Sequence, residues 1–111
     1  MIPPAAFLML ANVAEAESAS SYRAMQCAHL SSIRDVRPRT PSGCEECLAT
    51  GDHWVHLRLC MTCGHVGCCD DSKNRHARKH AGADSHPIVR SFEPGERWVY
   101  CFIDDEVVGE I

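Results

Sequence analysis

Two Cys-x2-Cys pairs, Cys44–Cys47 and Cys60–Cys63, followed by Cys68 and the histidines His76, His80 and His86, constrain this chain more than any other feature. Thiols one tight turn apart converge readily on a metal ion, whereas bonding to each other strains the backbone. Histidines at helical spacing have no role in a disulfide scaffold, but imidazole and thiolate together suit borderline-soft zinc. The chain has 111 residues, with eight cysteines and seven histidines. A chain of that length makes one domain with a modest core, for which a metal staple is a common supplement. Structural zinc is therefore expected.

The formal net charge of -4 argues against a general polyanion binder. No nucleic-acid partner is expected, and a nucleic-acid-binding zinc ribbon is the alternative reading. At the N-terminus an apolar run, Ala5 to Ala14, leads into Glu15-Ala16-Glu17-Ser18. No Lys or Arg precedes the run, so it lacks the positive region of a secretory signal, and it is too short to span a bilayer. Residues 1–22 are expected to be a flexible extension and residues 23–111 the zinc domain. A thiolate-rich zinc domain suits the reducing cytoplasm; a monomer without membrane association is expected.

Pro38, Pro41 and Gly43 mark residues 31–43 as loop. Alternation from Trp54 to Cys60 predicts a half-buried strand delivering Cys60 to its knuckle. Asp71-Ser72 offers a helix N-cap, so a helix is expected from Ser72 to His80, ended by Gly82. His76 and His80 then share one face. Pro87 to Phe92 and Arg97 to Ile103 read as strands around a turn at 93–96, and Val107-Val108 extends the sheet. The expected fold is α+β: one central helix packed on a short, mostly antiparallel sheet.

By spacing alone, Cys44, Cys47, Cys60 and Cys63 could close a single four-cysteine ribbon. That leaves Cys27, Cys68, Cys101 and the three histidines without a role. The whole string, with Trp54-Val55 before the second knuckle and His86-Pro87-Ile88-Val89 after the helix, resembles the UBP-type zinc finger. This is the ubiquitin-binding module of ubiquitin-specific proteases and of a cytoplasmic histone deacetylase. The likeness runs from Cys27 to Val108 and is nearest to short stand-alone bacterial members.

The resemblance implies three zincs with cross-braced ligands. Cys44 and Cys47 would share one with Cys68 and His76, and Cys60 and Cys63 a second with His80 and His86. A third would join Cys27 and His29 to Cys101 and Asp104, the carboxylate standing where the family carries a cysteine. Cys69 competes with Cys68: the x4 spacing from Cys63 favours Cys68, the x6 spacing to His76 favours Cys69, and Cys68 is taken. Closed tetrahedral sites leave no position for catalytic water, so a non-catalytic module that binds a protein or peptide tail is implied.

Family members that capture a free Gly-Gly carboxylate use an arginine two residues after the knuckle cysteine and aromatic walls. Here Asp70 occupies that position and would repel a carboxylate, which argues against a ubiquitin-type tail. Tyr100 and Phe102 flank Cys101 where the family carries aromatic walls; two apart on a strand, they share a face that is either core or groove. Tyr22, Trp54 and Trp98 are further candidate walls or core-filling rings, and Trp54 reads as core. Arg34, Arg37 and Arg39 form a loop cluster that could supply the missing guanidinium. Lys73, Arg75, Arg78 and Lys79 read as a solvated helix face, and His53, His56 and His65 as surface or outer hydrogen-bonding residues.

Overall fold

The computed structural model describes residues 27–111; the expected extension, 1–22, and Tyr22 lie outside them. Among the described residues no helix is long and apolar enough to cross a membrane.

Five short strands form one sheet: β1 (Leu57–Cys60), β2 (Val66–Cys68), β3 (Ile88–Ser91), β4 (Trp98–Cys101) and β5 (Glu106–Glu110). Their order is β2-β1-β3-β4-β5, and every pairing is antiparallel. Helix α1 (Glu45–Thr50) packs on β2, and helix α2 (His76–Asp84) packs on β2 and β1. A 3-10 helix, Ala28–Ser32, precedes them. The α+β reading, one main helix on an antiparallel sheet, holds.

Burial explains why so short a sheet closes a core. Val66, Ile88 and Val99 lie at its centre, and Cys44, Cys47, Cys60, Cys68 and Cys101 are as fully buried as they are. The thiols occupy positions that aliphatic side chains fill in a larger domain.

Several elements differ from the expectation. The first knuckle is the start of a helix: Cys44 is the N-cap of α1, and Cys47 lies inside it. The first strand begins at Leu57, not Trp54; Trp54 packs against the core from the loop. The main helix starts at His76 rather than Ser72, because Arg75 is left-handed (φ 50°) and breaks the helical path. Ser72 caps no helix: its hydroxyl accepts the Val55 amide at 2.9 Å. Gly82 does not end the helix; the chain turns at Ser85, also left-handed, whose N–H donates to the Ala81 carbonyl.

Two glycines make the close approaches that frame the metal sites. Gly64 has φ 87°, and a Cβ there would strike the Arg37 carbonyl oxygen. At Gly67 a Cβ would lie 2.6 Å from the Ala77 backbone nitrogen, so glycine lets α2 sit directly on β2.

Candidate metal centres and the adjoining groove

The N-terminal turn of α1 supplies Cys44 and Cys47, the end of β2 supplies Cys68, and the first residue of α2 supplies His76. His76 Nδ1 lies 3.3, 3.4 and 3.5 Å from the sulfurs of Cys44, Cys47 and Cys68. One helical turn on, His80 Nε2 is 3.3 Å from Cys63 Sγ and 3.3 Å from His86 Nδ1, with Cys60 Sγ 3.7 Å from His86 Nδ1. Across the molecule, His29 Nδ1 lies 3.4 Å from Cys101 Sγ, 3.5 Å from Asp104 Oδ1 and 3.8 Å from Cys27 Sγ. Within each of these three sets the candidate ligand atoms all lie within 4.8 Å of one another. The two Cys-x2-Cys pairs therefore stand in different sets, which a single four-cysteine ribbon does not allow.

Electrostatics fit a cation at each set. Burial pushes the Cys44 thiol up to about 12 and the Cys27 thiol to about 11, so a thiolate at either position requires positive charge beside it. Burial also lowers the His80 imidazole, favouring the neutral form that ligates. Donors reach the sulfurs: the His76 N–H to Cys68 Sγ at 3.2 Å and the Asp104 N–H to Cys101 Sγ at 3.4 Å. His80 turns its other nitrogen, Nδ1, to Asp84 at 3.3 Å, the carboxylate–histidine arrangement typical of zinc ligands. The donor sets are thus those of closed structural zinc sites.

Cys69 belongs to no set. It is buried, with Sγ 3.4 Å from the Ser72 hydroxyl. Of the two readings of His65, surface or outer hydrogen-bonding residue, the structure shows the second: it is 1 % exposed, its ring stacks on His80 at 4.0 Å, and Nε2 lies 2.8 Å from both oxygens of Glu46. Glu45, Glu46 and His65 also cluster, but Arg39 holds both oxygens of Glu45 at 2.9 and 2.6 Å, so the group is an ion-pair network.

A groove of about 190 Å³ lies on the sheet face that Arg58, Val89 and Tyr100 share, beside α2. Burial alternates along β4, with Val99 and Cys101 inward and Trp98 and Tyr100 outward. Tyr100 and Phe102 meet edge to face at 5.3 Å and line this groove, so they are walls rather than core. Trp98 is a third wall, and the Arg58 guanidinium lies over its ring, 4.5 Å from the centroid.

Asp70 borders the groove but is not a bare charge. Arg78 reaches over from α2 and binds both its oxygens, Nε to Oδ1 at 3.1 Å and Nη2 to Oδ2 at 2.7 Å, while its guanidinium covers the Phe102 ring. Asp105 joins this cluster through Tyr100 and Arg78. Asp70 thus raises the Arg78 pKa strongly. The loop arginines do not line the groove: Arg39 holds Glu45, and Arg34 donates to the Ser31 and Ile33 carbonyls. Arg58 was not singled out in the sequence, and Arg78 was read there as part of a solvated helix face, because the meaning of both comes from cross-sheet and helix–sheet neighbours.

Cross-braced cysteine and histidine sets on an antiparallel sheet define a small zinc-binding domain. The chain belongs to the family described as the zinc finger in ubiquitin hydrolases and other proteins, whose model matches residues 44–110. It is 51% identical to a Rhodopseudomonas palustris protein solved by solution NMR, covering 75% of this chain and 80% of that one with a TM-score of 0.68. It is 28% identical over 88 residues to ubiquitin carboxyl-terminal hydrolase 44 of Ailuropoda melanoleuca, covering 75% of this chain and 11% of that protein. Mouse (Mus musculus) ubiquitin carboxyl-terminal hydrolase 16 is 42% identical over 53 residues, 44% of this chain and 6% of that protein. The chain thus spans about a tenth or less of these hydrolases, and the matched family is a zinc finger rather than a catalytic domain.

Proposed function

We propose that this chain is a non-catalytic recognition module that holds three zincs in the sets above and takes a peptide tail in the Arg58–Trp98–Tyr100–Phe102 groove. The zincs supply no chemistry beyond fixing the fold, since each set offers four protein ligands. Such a thiolate-rich module works as a monomer in the reducing cytoplasm.

The observation that carries the reading is the charge arrangement at the groove. Among the described residues Arg58 has no carboxylate within 4 Å, so its guanidinium is available for an incoming one. The repulsion expected from Asp70 is offset, because Arg78 occupies both its oxygens. The relatives are named for action at a ubiquitin carboxyl terminus. A peptide ending in a free carboxylate is the corresponding ligand class here, the aromatic walls taking the last residues and Arg58 the charge.

Calorimetric titration of zinc-loaded protein with a Gly-Gly-ended peptide, against the same peptide amidated, tests this. The free acid should bind, and the amide should lose about tenfold or more in affinity, the worth of a charged hydrogen bond. Equal binding of both forms, or none, removes the tail reading and leaves general protein docking.

A further inference from the structure

The 3-10 helix Ala28–Ser32 contains no buried residue. Its own backbone bonds are local, from the Leu30 N–H to the Cys27 carbonyl and the Ile33 N–H to the Leu30 carbonyl. Leu30 packs half-buried on the core, and only the last residue is tied across, Ser32 accepting the Thr62 hydroxyl at 3.0 Å. The remaining anchor is the third ligand set, through which Cys27 and His29 meet Cys101 and Asp104. The same segment is one wall of a second cavity, of about 530 Å³, in which Ala28 and His29 join Ala81 and Gly82 of α2 and Phe102 and Ile103 after β4.

The third set also differs in chemistry. The first set offers three thiolates and one imidazole, and the second two of each. The third replaces one soft donor with a carboxylate oxygen, which holds zinc less strongly in competition with thiolate. Exposure adds to this: the side chains of His29 and Asp104 are 31% and 30% accessible, whereas all three cysteines of the first set are fully buried. Water and competing ligands can therefore reach the ion from the Asp104 side.

We propose that the third set is an exchangeable zinc site, the first of the three to release its ion, and that its occupancy decides whether Ala28–Ser32 closes the wall of the larger cavity. When Zn²⁺ passes to a competing chelator, Cys27 and Cys101 take up protons from solvent, and the segment keeps only its Leu30 and Ser32 contacts. The module then presents this cavity only when zinc is plentiful. The proposal rests on the three-zinc reading above.

The test uses the full zinc-loaded chain and graded nitrilotriacetate, with zinc counted by elemental analysis and amide exchange followed at Leu30 and Ile33. Loss of one zinc ahead of the other two is expected, with protection of those two amides lost in the same step and the sheet amides unchanged. Asp104→Cys should raise the chelator concentration for that step by about tenfold, at least the loss that outer-shell changes produce, and Asp104→Asn should lower it. A starting count of two that rises to three with added zinc also supports the proposal. Three zincs lost in one step, no response to either substitution, or unchanged protection after the first loss overturns it while leaving the three-zinc reading intact. A starting count of one that added zinc does not raise overturns both.

Discussion

His65 shows how a single side chain links two metal sites. Its Nε2 meets Glu46, which lies between Cys44 and Cys47 in α1, and its ring stacks on His80 of the second set. Replacing it with alanine leaves a cavity at a fully buried position beside a ligand histidine. His65→Ala should therefore cost about 2 kcal/mol or more of stability, read in thermal unfolding of the zinc-loaded protein. At the groove, Arg58→Ala should weaken binding of a carboxylate-ended peptide by about tenfold or more. The zinc content should not change, because Arg58 touches no ligand. The residues that the structure gathers into three candidate sets were named from the sequence through the order of cysteines and histidines and the family resemblance, since spacing alone also allowed one four-cysteine ribbon. Arg58 was not named, and Arg78 and His65 received only general readings, because nothing in their local text says that Trp98, Asp70 and His80 will stand beside them.

At the scale of elements, the approach of α2 to β2 controls two ligand sets together, since His76 and His80 sit on consecutive turns. Gly67→Ala would place a methyl 2.6 Å from the Ala77 nitrogen, where backbone and not a flexible side chain must move. Zinc per chain should fall, with both histidines drawn away from their cysteines. Gly82→Ala is the contrast: it lies inside α2 with nothing within 4 Å of the added carbon. It should stabilise the protein by about 0.5–1 kcal/mol in chemical denaturation, through helix propensity and a less free unfolded chain. The strands after the helix were legible on either side of the turn at 93–96, whereas the start of α2 was displaced by four residues. A serine able to cap a helix was engaged elsewhere by the Val55 amide, and the left-handed turn fell on Arg75, a residue with no preference for it. Helix α1 was hidden because Cys44 to Cys47 reads as a metal knuckle, and six residues are too few to show a period.

For the whole molecule, much of the buried interior is cysteine, so folding and metal binding are one equilibrium. Complete removal of zinc by excess chelator should abolish the cooperative thermal transition, and readdition under reducing conditions should restore it. The overall architecture was legible because three ligand sets tie distant parts of the chain together: Cys27 to Cys101, Cys44 to Cys68, Cys60 to His86. The most direct measurement is zinc per chain by elemental analysis, on protein purified under reducing conditions without chelator. The account predicts about three, with the third restored by added zinc if purification has removed it. One zinc per chain that does not rise on supplementation would contradict it and return Cys44, Cys47, Cys60 and Cys63 to a single site.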